Sequence, residues 1–248
     1  MQNVIITGAG SGVGRACSLA LLKEGFRVIL AGRTSSSLEE TKALSGNDKD
    51  NAIVQPTDVS NEPSVQNLFK STSERYGRVD VLFNNAGIAY PPIPLDEIEL
   101  SQWQEMIDIN LTGAFLCARE AYRAMKDQDP QGGRIINNGS ISAHLPRPHS
   151  LPYVASKSGV TGLTKSLMLD GRANSIACSQ IDIGNASTDM TGRMSKGVLQ
   201  ADSSTTTEPT IPVQHIAEAV THLAKLPLDA NIPFMTVMAN QMPYAGRG

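Results

Sequence analysis

Short apolar, β-branched runs alternate with helix-like stretches along the whole chain, and this rhythm constrains the fold most. Val4–Thr7, Arg27–Ala31, Ala52–Gln55, Val79–Phe83, Arg134–Asn138, Ile176–Ile183 and Phe234–Met238 read as strands. They are brief and poorly alternating, as strands covered on both faces are. Arg15–Glu24 and Ser64–Tyr76 read as helices stopped by Gly25 and Gly77. Ser101–Lys126 and Tyr153–Gly171 read as longer helices, and His215 and His222 fall on another. A β-α-β-α order requires parallel strands joined by right-handed crossovers. The expectation is an α/β, doubly wound (Rossmann-type) parallel sheet with helices on both faces, in a single domain over residues 1–248. The Ser- and Thr-rich stretch Gly197–Thr210 reads as a mobile loop inside a substrate-lid segment of approximately 188–212.

Composition excludes several functions. With 21 basic and 24 acidic residues, a net charge of −3 and no run of Lys or Arg, no nucleic-acid partner is expected. No apolar stretch approaches the roughly 20 residues of a membrane helix. The chain opens directly on a strand pattern with no basic leader, so no secretion signal is expected. Cys17, Cys117 and Cys178 are odd in number and widely spaced. That pattern implies free thiols in a reducing compartment, hence a cytoplasmic protein. The four histidines have no metal-ligand spacing, so no metal is expected.

After the first strand comes Thr7-Gly8-Ala9-Gly10-Ser11-Gly12-Val13-Gly14, and then a helix. Glycines there allow a sharp turn and a close backbone approach to a pyrophosphate, which the helix N-terminus attracts with free N–H groups. The spacing does not fit GxGxxG: from Gly8 the sixth place is Val13. A purely structural turn is the bland alternative. The end of the second strand then bears on the nucleotide. A carboxylate there would hold the ribose 2′-OH of NAD. The chain has Ala31-Gly32-Arg33-Thr34-Ser35 instead, with no acid. The Arg33 guanidinium suits a 2′-phosphate, and Thr34 and Ser35 add hydroxyl donors. NADP(H) is therefore the expected cofactor, ahead of NAD(H).

Tyr153 and Lys157 stand four apart on a helix and so share a face. A neighbouring ammonium stabilises a phenolate and lets tyrosine exchange a proton near neutrality.

With these motifs in order, the chain resembles the short-chain dehydrogenase/reductase family, in its single-domain subfamily, over nearly its whole length. Thr7-Gly8-x-x-x-Gly12-x-Gly14 looks like the family's cofactor turn, which brings Ser11 and Val13 to the nucleotide. Asp58-Val59 resembles its adenine contact, and Asn84-Asn85-Ala86-Gly87 its stabilising motif after the fourth strand. Asn110 matches the asparagine of the proton relay. Ser140, 13 residues before Tyr153, has the family's Ser-to-Tyr spacing, with Ser142 as rival. The resemblance implies a hydride transfer between a nicotinamide cofactor and a small carbonyl or alcohol. In it Ser140 would bind the substrate oxygen and Tyr153 would give or take the proton. Lys157 would depress the Tyr153 pKa and hold the nicotinamide ribose, and the helix backbone at Asn110 would hold a water leading from Lys157 to solvent. Ala186 and Thr188 would lie at the cofactor, with Thr188 on the nicotinamide carboxamide. A homo-oligomer is implied, a tetramer or else a dimer. Its contacts would come from the two long helices through Leu111, Ala114, Phe115, Ala118, Ala121 and Tyr122 on one, and Gly159, Val160, Leu163 and Leu167 on the other, the bland alternative being that these residues only pack the intramolecular core.

There are departures from the family pattern. Ile183-Gly184-Asn185-Ala186-Ser187-Thr188 has Ile where Pro is usual, Asp182 is an unusual polar residue in its strand, and the C-terminus lacks Asp-Gly-Gly. Arg147, between Ser140 and Tyr153, faces either an anionic substrate or solvent. His144 and His149 read as ordinary loop residues, and Met190, Met194 and Val198 as an apolar side of the lid. Two other functions compete: a dinucleotide-sensing binding protein with a vestigial tetrad, and dehydration or epimerisation on the same scaffold.

Overall fold

The computed structural model describes residues 1–188 and 197–244; Met190 and Met194 lie outside them. In chain order the elements are β1 (Asn3–Thr7), α1 (Gly12–Lys23), β2 (Arg27–Gly32), α2 (Ser35–Leu44), β3 (Ala52–Pro56), α3 (Glu62–Tyr76), β4 (Val81–Asn84) and α4 (Leu100–Ile107). They continue with α5 (Gly113–Asp127), β5 (Gly133–Asn138), α6 (Leu151–Asp170), β6 (Ile176–Ile183), β7 (Val198–Leu199), β8 (Thr205–Thr206), α7 (Val213–Lys225) and β9 (Phe234–Val237). Seven strands form one parallel sheet in the order β3-β2-β1-β4-β5-β6-β9. The chain runs outward from β1 in one direction and from β4 in the other. The crevice at that reversal, at the carboxyl ends of the strands, is where open α/β sheets hold ligands.

Strand alternation assigns the two halves of the core. Val4 and Ile6 of β1 join Leu21 and Leu22 of α1 and Ile216 and Val220 of α7 on one face. Ile5 between them joins Leu68 of α3 and Leu116 and Met125 of α5 on the other. All seven expected strands and the four named helices are present, with ends shifted by a few residues.

Three local differences have physical reasons. α2 begins on a triple-serine run and buries only Leu38 and Thr41 among its residues, so it carries little apolar periodicity. The helix expected over Ser101–Lys126 is α4, a π-helical turn at Asp108–Thr112, and α5. Asn110 in that turn exchanges hydrogen bonds with the Ile88 backbone, accepting from its N–H at 2.8 Å and donating to its carbonyl at 2.9 Å. Finally, Ala114, Ala118 and Ala121 are buried within the chain, so this stripe packs the intramolecular core, while Phe115 is exposed. All three cysteines are buried free thiols. Among the described residues no helix is long and apolar enough to cross a membrane.

Candidate active site

The strand ends are tied together before any side chain is presented. Thr7 Oγ1, at the end of β1, accepts from the backbone N–H groups of Asn85 and Ala86, each at 2.9 Å. Asn85 donates to the Thr7 carbonyl at 2.8 Å and accepts from Asn138 at 2.9 Å, linking β1, β4 and β5. These contacts saturate the Asn85 side chain in a framework role. Gly87 lies against Asn110 in the same shell.

In the turn after β1, a Cβ on Gly14 would stand 2.1 Å from the Gly8 carbonyl oxygen, so only glycine permits this closeness. Gly12 has φ +50, the left-handed region that glycine enters at little cost. Ser11 caps α1 in extended conformation, and its side chain makes no capping hydrogen bond. The first N–H groups of the helix therefore face the turn. Thr188 approaches from the far side: its Cγ2 is 3.4 Å from where a Gly12 Cβ would be.

Arg33 and Thr34 are exposed at the end of β2, and Arg33 takes part in none of the ion pairs among the described residues. Arg15, a cation the sequence reading passed over, is also near. It is bound to Glu40 at 2.6 Å and to the Gly10 carbonyl at 2.6 Å, so its charge is already matched. Asp58 at the end of β3 accepts from the N–H and hydroxyl of Ser60, at 3.0 and 2.7 Å. Val59 is buried in the core against Gly113 and offers only its backbone to a ligand.

Across the reversal, β5 ends in Asn138 and runs into Gly139 and Ser140. Tyr153, in the first turn of α6, lines the same cleft as Ser140. Ser140 Oγ accepts from the N–H of its rival Ser142, at 3.1 Å. One turn on, Lys157 is buried and donates to the Asn138 carbonyl at 2.8 Å. Its ammonium lies 5.7 Å from the centre of the Tyr153 ring. Burial pushes the Tyr153 phenol above its ordinary value; the Ser140 hydrogen bond and then the Arg147 charge pull it back. Burial also brings Lys157 down to about 8, against an opposing effect of the Asp182 carboxylate. Asn110 reaches this cluster through Ser156, at 3.3 Å.

Val13, Ser140, Tyr153, Ala186 and Thr188, drawn from distant parts of the chain, line a single cleft of about 280 Å³. Its other walls are mainly apolar, with Pro91, Pro92 and Ile93 on one side and Val198 and Leu199 on the other. The sequence reading missed the first of these walls, although its proline pair after the fourth strand was a signal of a stiff loop. Asn110 and Lys157 sit behind the cleft, and Arg33, Thr34, Asp58 and Val59 belong to the neighbouring ends of β2 and β3.

Arg147 is mostly buried rather than solvated. It lines the cleft, but its guanidinium pairs with the buried Glu208 and donates to Asn185 at 2.9 Å. Glu208 is held in turn by Asn185 at 2.9 Å and Gln200 at 3.1 Å. The segment expected to be a loose lid thus carries a hairpin, β7–β8, and a buried anchor. His149 lines the cleft, and His144 pairs with Asp182, so neither is an ordinary loop residue.

A doubly wound sheet with a Ser-Tyr-Lys cluster beside a glycine turn defines a class of nucleotide-dependent enzymes. The family model described as short chain dehydrogenase matches residues 2–198, and the chain belongs to that family. It is 35% identical over 195 residues to a 3beta-hydroxysteroid dehydrogenase of Mediterraneibacter gnavus, covering 79% of this chain and 70% of that one. It is 32% identical over 245 residues to sulfoacetaldehyde reductase 2 of Chromohalobacter salexigens, covering 98% and 96%. Among solved structures it is similar to an actinorhodin polyketide ketoreductase variant with NADPH, with TM-score 0.87, 28% identity and 98% of each chain covered. An alcohol dehydrogenase from the archaeon Thermococcus sibiricus complexed with 5-hydroxy-NADP matches with TM-score 0.82, 25% identity and 98% of each chain covered.

Proposed function

We propose that the chain is an NADP(H)-preferring oxidoreductase that moves a hydride between the nicotinamide and a carbonyl or alcohol, with Tyr153 as general acid and base. The observation that carries this reading is that Ser140 and Tyr153 line one mainly apolar cleft that also reaches Val13 of the glycine turn. The residues fit the cofactor. The Gly8–Gly14 approach leaves no room for a side chain, the α1 N-terminus is uncapped by Ser11, and Arg33 is exposed without an ion pair. Gly8, Ser11, Gly12, Val13 and Gly14 would hold the pyrophosphate, Arg33 and Thr34 the 2′-phosphate, Asp58 and Val59 the adenine. Asn85, Ala86 and Gly87 would back the ribose, and Ala186 and Thr188 the carboxamide. The nicotinamide dinucleotides in the two solved structures support this cofactor class, and the preference rests on Arg33.

When bound, the nicotinamide supplies or takes up the hydride. In reduction Ser140 would donate to the carbonyl oxygen, and Tyr153 would give that oxygen its phenol proton. In oxidation Tyr153 would take the alcohol proton. Lys157, protonated below about 8, would favour the phenolate and refill it. Asn110, in a π-helical turn of the kind frequent at functional sites, marks the exit of this relay. The mainly apolar walls suit a substrate with an apolar body. The same reading carries a homo-oligomer, a tetramer or else a dimer, built on α4, α5 and α6, where Leu100, Phe115 and Leu169 stay exposed.

The test is a panel of neutral ketones and aldehydes mixed with the protein and NADPH or NADH, followed by nicotinamide fluorescence. Carbonyl-dependent oxidation, faster with NADPH, supports the reading. Tight NADPH binding with no turnover of any carbonyl contradicts it and favours a dinucleotide sensor.

A further inference from the structure

We propose that Asp182 is a positioning residue of this site: from behind the cleft its buried carboxylate clamps the 138–140 backbone that holds Lys157 and gives that lysine its counter-charge. The inference rests on the function proposed above.

Asp182 is the penultimate residue of β6, and its side chain is 2% exposed. Carboxylates are almost never buried this far unless they are paired. Oδ1 accepts from Gln180 Nε2 at 2.7 Å, and Oδ2 meets His144 Nε2 at 3.0 Å. Gln180, two residues back and so on the same face of the strand, donates to Thr161 at 3.0 Å and accepts from Thr164 at 2.9 Å. Both threonines are on α6, the helix that carries Tyr153 and Lys157. One polar cluster therefore joins β6, α6 and the turn after Ser140.

The cluster presses on Gly139. A Cβ there would stand 2.1 Å from Asp182 Oδ1 and 2.7 Å from Gln180 Nε2. Gly139 separates Asn138, whose carbonyl accepts from Lys157 at 2.8 Å, from Ser140, which lines the cleft with Tyr153. The carboxylate thus braces the short segment that presents both partners of the Tyr-Lys pair. Its charge acts on the same pair. The charged or titratable groups facing it are His144 from the turn and Lys157 from α6. Asp182 is the one charge that raises Lys157 against its burial. Without it the lysine would shed its proton at lower pH, and the phenolate would lose its stabilising neighbour.

The test is Asp182→Asn, which keeps the shape and an acceptor oxygen and removes the charge. Lys157 is titrated by NMR in full-length protein carrying carbon-13 at the lysine ε position, a readout that needs no turnover. The expected result is a fall of the Lys157 midpoint by roughly one unit, of the size that loss of a near opposite charge gives, with an unchanged melting temperature. A midpoint equal to that of the wild type overturns the proposal. Under the proposed function, the acid limb of alcohol oxidation also moves to higher pH. If the NMR midpoint falls but the wild type turns over nothing, the positioning role stands and the oxidoreductase reading fails. His144→Asn gives a second arm should the first variant fold poorly. It removes a hydrogen-bond partner of Asp182 and leaves the carboxylate in place, so the Lys157 midpoint stays or rises, and a fall in this variant overturns the proposal.

Discussion

The two ends of β5 each bury a cation, and they treat it differently. At the entry end Arg134 is 1% exposed. Its guanidinium donates to Asn231 and the Ala230 carbonyl at 2.8 Å and to the Pro227 carbonyl at 3.1 Å, which pins the loop between α7 and β9. At the exit end Lys157 is almost as deeply buried, yet among the described residues the Asn138 carbonyl is its one hydrogen-bond acceptor. Burial lowers the pKa of both groups. The arginine is held by several neutral oxygens and cannot be deprotonated near neutrality. The lysine is left with donors to spare and a pKa of about 8. The difference separates a cation that staples the fold from one poised to exchange a proton.

The largest effect that would sharpen this contrast is on turnover. Tyr153→Phe leaves the packing of α6 intact and removes the proton that Lys157 is placed to influence. Turnover should fall about 10²–10⁴-fold with cofactor affinity largely kept, as measured by steady-state kinetics and NADPH titration. Near-normal turnover would break the assignment of the exit end as the chemical one.

At the entry end the effect should be on stability alone. Arg134→Met leaves a row of buried carbonyls unpaired and should cost about 2–3 kcal/mol. Urea unfolding would measure it, with turnover per folded molecule unchanged. A variant as stable as wild type would show that those hydrogen bonds do not staple the loop.

A smaller effect is expected at Arg33, a cation left exposed rather than buried. Arg33→Ala should weaken NADPH binding by about 1.5 kcal/mol, the lower end for a charge-assisted contact because solvent screens it. NADH binding should hardly change. Equal losses for both cofactors would detach Arg33 from the 2′-phosphate.

This division of labour was partly legible in the sequence. The glycine turn, Ser140, Tyr153 and Lys157 were readable because their chemistry depends on residue type at fixed local spacing. The sheet was readable because buried parallel strands are uninterrupted apolar runs. What was not readable depends on contacts between distant segments. Glu208 pairs with Arg147 from 61 residues away. His144 finds Asp182 across 38 residues, so each looked like an isolated loop or strand oddity. The alanines of α5 fit an intersubunit stripe and an intramolecular core equally well by spacing, and only their burial decides. The helix α2 was hidden by its serine-rich start.

The most direct test of the contrast is Lys157→Met, read for stability and turnover together. A lysine lowered from 10.5 to about 8 costs the fold about 3 kcal/mol while it is charged, at about 1.4 kcal/mol per unit. The sign follows from proton binding. Between about pH 8 and 10.5 the unfolded chain holds the proton that the folded chain has lost, so the cost is full below this window and fades as pH rises through it. At neutral pH the account predicts that Lys157→Met melts no lower than wild type while turnover falls at least about 10²-fold. Retained turnover, or a loss of stability like that of Arg134→Met, would contradict it.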